Sequence, residues 1–393
     1  MSADNSVPQQ GAADWPEEVV AGAALHGVTP ELPPPPSYPP PPSVRLPRPP
    51  HPNFWWAFLW CIGFILFTQI PGAILGALLI VALMVLAPQA VSAGATAKGA
   101  IPDSPAVSAI MAVTFAFTEL LVIGVSWLAI RLVVGRDWTR QLALRRPGLA
   151  HVLLVAAGFP ALALLGNGSY ELLRHVLHVP SFSDLGLPGM EQMVGVFGRW
   201  PWPFAVLVIG AGPGIGEELW CRGFLGRGLV GRYGWLLGVV FTSFFFGFIH
   251  IDPAQGLYAM LVGLCLHFVY RTTRSLWVPM LLHFLNNSLS VVVTRLPQLK
   301  EFDSAPGTAF PVAVFVSAAV LLVAVGWALY QSRARLAAPD GVDPWRPLYP
   351  GVEYPPPHSN TRVAHPWPAW FTVVPVLGSL AALVVFCYLA LAH

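Results

Sequence analysis

The chain has 393 residues, of which 55% are hydrophobic and only 10% are charged. Soluble globular domains carry about 25% charged residues, so this composition excludes an ordinary soluble fold. The formal net charge is +2, and the Lys and Arg residues lie between apolar segments without forming a basic stripe. Nucleic acid is therefore excluded as an expected partner.

The N-terminal segment is rich in proline and contains PELPPPPSYPPPPSVRLPRPPHP. Consecutive prolines fix φ and remove backbone donors, which favours an extended polyproline II conformation without a core. We interpret residues 1–52 as a disordered cytoplasmic tail. It serves as a passive linker, or it binds a partner through its PxxP-like stretch.

Apolar runs follow the tail along the rest of the chain. A bilayer core requires about 20 helical residues, and a chain inside lipid must satisfy its own backbone hydrogen bonds. We therefore predict an all-α fold, a polytopic integral membrane bundle of eight or nine transmembrane helices. The count is eight without the short third run and nine with it. The runs are Phe54–Ala87, Val107–Val134, Val152–Leu165, Phe204–Leu229, Trp235–His250, Leu257–Tyr270, Leu276–Val293, Ala309–Tyr330 and Trp370–Leu391.

The distribution of Arg between these runs predicts the orientation in the membrane. When nine helices alternate sides, most Arg residues fall on the side that holds the N-terminus. Positive residues concentrate in cytoplasmic loops, so we place the N-terminus in the cytoplasm of a multi-pass protein of the cell (plasma) membrane. The stretch between Gly166 and Trp202 is mixed and amphipathic, which indicates an interfacial helix and a loop.

Charged residues cluster in one apolar segment, AGPGIGEELWCRGFL. An ionisable residue at membrane depth costs about 3 kcal/mol or more, so each is a functional candidate. Glu218 and Arg222 are four residues apart and share a helical face, whereas Glu217 points about 100° away from Glu218. The spacing predicts an ion pair between Glu218 and Arg222, and it leaves the Glu217 carboxylate free to act as a general base.

Two later segments add imidazole and amide groups. FTSFFFGFIH ends an apolar run with His250, and LLHFLNNSL places His283 and Asn287 four residues apart on one helical face. A carboxylate can accept a proton from water, and imidazole can orient water or transfer protons. Imidazole and amide N–H groups can stabilise an oxyanion. Together with Glu217, these residues form a hydrolytic set.

In this order, EExxxR, FxxxH and HxxxN are the three motifs of the CPBP family of intramembrane metalloproteases, also called type II CAAX-prenyl proteases or the Abi-like family. All three motifs match here without substitution. The chain resembles the family over roughly residues 200–295, with a weaker likeness at GRDWTRQLALRRP. The resemblance implies a CAAX-protease-like intramembrane endopeptidase that hydrolyses peptide bonds in membrane-associated protein or peptide substrates.

The resemblance also implies roles for the motif residues. Glu217 and His250 would activate the attacking water. His283 and Asn287 would form the oxyanion site, and the Glu218–Arg222 pair would support them. We accordingly divide the chain into the tail (1–52), N-terminal membrane helices with an interfacial segment (53–200), a protease-like core (201–297) and C-terminal membrane helices with a polar loop (298–393).

The family name implies a metal, yet the sequence has no HExxH pair to hold zinc in the usual way. A set of one Glu and two His residues can still bind a divalent ion. We favour a metal-free glutamate that activates water. If zinc or another divalent ion is present, its expected ligands are Glu217, His250 and His283.

Other polar residues in the apolar runs have structural interpretations. His267 and Glu119 lie outside the motifs, and a membrane-buried polar residue often only bonds a neighbouring helix. The Glu218–Arg222 pair by itself could serve only to set helix register. Asn286 would replace Asn287 as the functional amide if the helix were rotated. The glycines of GAGPGIG favour close helix packing or a helix break.

Two other function classes account for part of the pattern. A proton-coupled transporter also uses membrane-buried Glu and His residues, but it would predict inverted repeats that the sequence lacks. A non-catalytic membrane scaffold would recruit partners through the proline-rich tail. The intact motifs argue against the scaffold.

The positions of the motif residues along their helices raise a geometric difficulty. Counted from the inner helix ends, Glu217, His250 and His283 differ in depth by about 10 to 15 Å. Straight vertical helices would keep them apart. We therefore expect tilted or broken helices, or a re-entrant Arg222–Gly234 segment, and a polar, water-accessible cavity lined by these residues.

Overall fold

A computed structural model describes residues 50–92, 104–295, 312–337 and 362–392. The predicted proline-rich tail lies almost entirely outside these residues, as does most of the predicted polar loop between the last two helices. The described chain is helical apart from one small sheet. The all-α prediction is therefore confirmed as the fold class.

Eight long helices, labelled α1 to α8, form the bundle of the described residues: α1 Phe54–Leu86, α2 Pro105–Val133, α3 Leu149–Glu171, α4 Trp202–Phe248, α5 Pro253–Thr273, α6 Trp277–Val293, α7 Val312–Gln331 and α8 Trp370–Ala392. Seven of them are long and apolar enough to cross a membrane, and α6 is shorter, with 17 residues. The shorter elements are Pro88–Ser92, Trp138–Gln141, the π-turn Leu172–Val176, the 3₁₀ turn Phe182–Leu185 and Met190–Phe197. The protein is a multi-pass integral membrane protein.

Helix α4 is not a single span, because the chain reverses within it at Gly234. The backbone there has φ 76° and ψ 179°, a conformation that glycine adopts without a steric penalty. After the reversal, Gly238 packs directly on the backbone of Val230. Counted on either side of the reversal, the described residues contain nine apolar helical segments at the positions of the nine predicted runs, and seven helices meet the length and hydropathy of a membrane span. The short run Val152–Leu165 belongs to the 23-residue α3.

The core of the bundle lies around α4. Trp220, Phe224 and Phe245 of this helix are fully buried. Trp220 stacks on Phe64 of α1, with ring centroids 4.4 Å apart. The outer faces of α1 and α8 instead expose Leu, Val and aromatic side chains. Lipid can cover such a surface, so large apolar side chains lie both in the core of the bundle and on its outer faces.

Two short elements lie outside the long helices. The predicted interfacial helix corresponds to Met190–Phe197, whose Phe197 packs edge-on against Phe115 of α2 with ring centroids 5.2 Å apart. Strands Arg335–Ala337 and Arg362–Ala364 pair antiparallel. The sequence analysis did not predict this pairing, since a three-residue strand has too few positions to show a period-two pattern.

Candidate active site

The short helical stretch Gly212–Glu218 inside α4 carries both motif glutamates. Its glycines let neighbouring helices approach closely. A Cβ on Gly214 would lie 3.2 Å from the Phe284 backbone nitrogen of α6, and one on Gly216 would lie 3.1 Å from the Ile123 nitrogen of α2. The glycine-rich segment therefore packs between α2 and α6, as the close-packing interpretation predicted. Glu217 is thereby held beside α6, which carries the HxxxN motif.

Glu218 and Arg222 form the ion pair that their spacing predicts. Nη1 of Arg222 donates to Oε1 of Glu218 at 2.7 Å, and the side chains are 1% and 0% exposed. Nη2 of Arg222 donates to the Gly263 carbonyl of α5 at 3.0 Å, and the guanidinium lies over the Phe246 ring. The pair is therefore fully withdrawn from solvent and ties α4 to α5.

Glu217, His250 and His283 converge on one point. Oε2 of Glu217 lies 3.9 Å from Nε2 of His250 and 3.9 Å from Nε2 of His283. This oxygen is buried and has no hydrogen-bond partner among the described residues. The Glu217 and His250 side chains remain 17% and 16% exposed, so the site is not sealed. The gaps between these atoms are too long for direct hydrogen bonds, and they are of the length that one shared water can bridge.

Hydrogen bonds on the far sides of the rings set their orientation. Nδ1 of His250 lies 2.8 Å from the Phe246 carbonyl, and Nδ1 of His283 lies 2.8 Å from Oε1 of Glu218. A carbonyl and a paired carboxylate can only accept, so both Nδ1 atoms carry the proton. In neutral rings, both Nε2 lone pairs then face Glu217. The Phe246 ring lies nearly perpendicular to both imidazoles, and the Arg222 guanidinium lies over its face.

The same three residues were named as the expected ligands of a divalent ion. Ligand atoms on a tetrahedral zinc lie about 3.4 Å apart, so the 3.9 Å separations are wider than such a site requires. Within the described ranges, no group of three or more His, Cys, Asp or Glu residues is arranged to hold a metal ion.

Asn287 lies one helical turn beyond His283 on α6. No hydrogen bond or ion pair within the described chain joins Asn287 to Glu217, His250 or His283. Its Oδ1 instead accepts from Nδ2 of the neighbouring Asn286 at 3.3 Å. The structure thus brings three of the four candidate catalytic residues into one cluster and places the fourth beside it.

Two further polar residues, which have structural interpretations, are also buried in the bundle. Oε2 of Glu119 is buried in α2 without a hydrogen-bond partner in the described part of the chain, and its side chain packs against Gly212. His267 is 2% exposed and lies edge-on to Trp235 and Tyr270. His267 therefore packs among aromatic rings. No hydrogen bond or ion pair within the described residues joins it to Glu217, His250 and His283, which we call the glutamate–histidine cluster.

Sequence reasoning missed Asp252, which follows His250 by two residues. Its Oδ1 accepts from the Gln255 N–H and caps α5, while Oδ2 accepts from the Phe182 N–H at 2.6 Å. The order Asp–Pro at a helix start was the signal that could have revealed the cap. The turn that contains Phe182 is further held by Arg174, whose bidentate hydrogen bond lowers the pKa of Asp184 to about 2.

The sequence predicts a polar cavity lined by the motif residues. A cavity of about 250 Å³ between α3, α5, α6 and α7 is instead lined by apolar side chains, among them Leu162, Phe268 and Leu282. It contains none of the motif residues. Access to the glutamate–histidine cluster therefore depends on the partly exposed Glu217 and His250 side chains, not on this cavity.

The fold and the site define a polytopic helical membrane protein with a carboxylate and two imidazoles gathered inside its bundle. Residues 199–289 match the family model described as type II CAAX prenyl endopeptidase Rce1-like. The match confirms the resemblance expected from the three motifs, and it spans all the motif residues. The matched family is a protease family. No curated protein and no solved structure gives a significant match to the chain.

Proposed function

We propose that the protein is an intramembrane endopeptidase that hydrolyses peptide bonds of membrane-associated proteins with a water activated by Glu217 and His250. The observation that carries the proposal is the buried Oε2 of Glu217, which has no hydrogen-bond partner in the described chain and lies 3.9 Å from Nε2 of both motif histidines. An unpaired buried carboxylate oxygen is costly, so its persistence at this point favours a functional role.

The first chemical step places the water between Glu217 and His250. Its protons point to Oε2 of Glu217 and to the lone pair on Nε2 of His250, which leaves an oxygen lone pair for the substrate. As the oxygen attacks the peptide carbonyl carbon, Glu217 takes one water proton as a general base. Glu217 then returns this proton to the amide nitrogen as the C–N bond breaks. The products are a new carboxylic acid, which carries the second water proton until it ionises, and a free amine.

The developing oxyanion is stabilised from α6. The amide N–H of Asn287 is one donor. Nε2 of His283 is the second, and because Nδ1 already donates to Glu218, this requires the imidazolium form of His283. Glu218 accepts from both His283 and Arg222, so its carboxylate holds the ring in place. Each motif residue therefore has a distinct part in one hydrolysis.

The test uses the purified full chain in lipid–detergent micelles with water enriched in oxygen-18. The probes are a farnesylated peptide that ends in a CAAX sequence, its unmodified counterpart and a mixture of peptides from membrane proteins. Hydrolysis places one heavy oxygen in the new C-terminal carboxylate, which mass spectrometry detects. Glu217→Gln is expected to lower the rate by about 10²- to 10⁴-fold, the usual contribution of a general base.

The matched controls remove similar groups elsewhere. Glu171→Gln changes a half-exposed carboxylate, and His267→Asn changes a buried imidazole away from the cluster. Both are expected to retain cleavage. Labelled products formed by Glu217→Gln at the wild-type rate, or binding of probes without cleavage by the wild type, would contradict the proposal, and the second result would favour a scaffold.

A chelator addresses the metal separately. We expect cleavage to persist after dialysis against 1,10-phenanthroline, because the mechanism uses only side chains and water. Loss of cleavage that zinc alone restores would instead make Glu217, His250 and His283 metal ligands.

A further inference from the structure

A small polar network links α5 and α6 beside the glutamate–histidine cluster. Nδ2 of Asn286 lies 3.2 Å from the Tyr258 hydroxyl and 3.3 Å from Oδ1 of Asn287, and it can donate to both. The Tyr258 hydroxyl in turn donates to Oδ1 of Asn286, at 3.4 Å. Both polar atoms of the Asn286 amide are thus engaged, and no motif assigns a role to Tyr258 or Asn286.

The network distinguishes the two ends of the Asn287 amide. Its Oδ1 is an acceptor for Asn286, whereas no acceptor within the described residues engages its Nδ2. The amide is therefore held by its oxygen, and both N–H groups of Nδ2 remain available. An oxyanion requires donors, so this is the orientation that a hydrolytic site needs from Asn287. The same bonds engage both N–H groups of Asn286, which favours Asn287 as the free donor.

Tyr258 is itself fixed by packing against α3. A Cβ on Gly166 would lie 3.1 Å from Cε2 of the Tyr258 ring, and the Tyr170 ring lies edge-on to it, with centroids 6.3 Å apart. The ring therefore has little freedom to swing away. This packing holds the Tyr258 hydroxyl against the Asn286 amide. Contacts between α3 and α5 therefore help to fix an amide on α6.

We infer that Tyr258 and Asn286 are positioning residues that hold the Asn287 amide with its N–H groups free for the oxyanion. The inference rests on the proposed function, because it concerns the oxyanion donor of that reaction. Loss of either residue lets the Asn287 side chain rotate, so that its oxygen can face the site. The ground-state substrate makes no use of this donor, and the effect therefore falls on kcat with KM unchanged.

A double-mutant cycle separates positioning from general stability. Tyr258→Phe keeps the ring and removes only the hydroxyl with its two bonds to Asn286, and it is expected to lower kcat by about three- to tenfold, the scale of a neutral hydrogen-bond contribution. Combined with Asn287→Ala, Tyr258→Phe is expected to lower kcat by less than about twofold further, because no amide remains to be oriented. Asn286→Ala is expected to behave in the same way in both backgrounds.

Tyr270→Phe is the matched control on the same helix. It removes a buried hydroxyl that donates to the Leu142 carbonyl at 3.0 Å, away from the network. It is expected to lower the unfolding temperature while kcat stays at the wild-type value. Unchanged kcat in both Tyr258→Phe and Asn286→Ala, or an equal loss with and without Asn287, overturns the inference. Full activity of the single variant Asn287→Ala overturns both the inference and the oxyanion role of Asn287 in the proposed function. An inactive Asn287→Ala with an unaffected Tyr258→Phe overturns the inference and leaves the proposed function intact.

Discussion

Replacement of Arg222 by Met tests the energetics of the buried ion pair. Arg222 donates to Glu218 at 2.7 Å and to the Gly263 carbonyl at 3.0 Å, and its guanidinium carbon lies 4.4 Å from the centre of the Phe246 ring. Met keeps the length and the apolar packing of the side chain. The charge on Glu218 is then left in the bundle with His283 as its remaining partner. Removing one member of such a pair costs about 3–5 kcal/mol, and we expect Arg222→Met to lower the free energy of unfolding by that amount.

The second member of the pair supplies the decisive comparison. Glu218→Gln removes the stranded charge but keeps an oxygen that can accept from Nδ1 of His283. We therefore expect the Glu218→Gln, Arg222→Met double variant to recover about 2 kcal/mol relative to Arg222→Met alone. The measurement is unfolding by sodium dodecyl sulfate in mixed micelles. Arg136→Met, at an exposed position, is the control and should change stability by less than about 0.5 kcal/mol.

Two results would refute this reasoning. One is a loss below about 1 kcal/mol for Arg222→Met, which would mean that solvent or another group compensates Glu218. The other is strict additivity of the two substitutions, which would mean that the charges do not interact.

Two further substitutions test how the site is positioned. Gly216→Ala places a Cβ 2.5 Å from a Val122 methyl, so it should lower the free energy of unfolding by about 1–3 kcal/mol and reduce cleavage. In the control Gly124→Ala, the new Cβ has no atom within 4 Å among the described residues, and stability should stay equal or rise. Thermal melts and cleavage rates check both variants, and an unaffected Gly216→Ala would refute the close packing. Asp252→Ala removes the cap of α5 and the acceptor of the Phe182 N–H. It should lower the free energy of unfolding by about 1–2 kcal/mol and speed hydrogen exchange in the 181–185 turn. Unchanged exchange in that turn would contradict the anchoring role of Asp252.

Much of the architecture could be predicted from local pattern. Runs of apolar residues indicate helices in lipid because the backbone there has no other hydrogen-bonding partner. The i, i+4 spacing of Glu218 and Arg222 predicted their ion pair, since the helical repeat places these positions on one face. The same argument predicted that the neighbouring Glu217 would be left out of that pair. These inferences depend on a single helix, and a sequence is sufficient for them.

The hairpin of three-residue strands and the anchoring Asp252 were not predicted, for different reasons. The strands pair residues across a gap of about 25 positions, and each strand is too short to show a periodicity. Asp252 carried a readable helix-start signal, but its second partner, the Phe182 N–H, lies 70 residues away along the chain. A contact at that separation leaves no trace in local spacing.

By itself, the sequence determined the class of the protein, the helical segments, the three motifs and the local pairing within each motif, because all of these follow from composition and from the 3.6-residue repeat. Only the tertiary structure decided that Glu217, His250 and His283 meet, since depth along straight helices would hold them apart. The close approach of the Gly212–Glu218 stretch to α2 and α6 places Glu217 beside the helix that carries His283. The contact between Tyr258 and Asn286 has the same origin: their distance is set by how α5 packs on α6, which no spacing along the chain encodes.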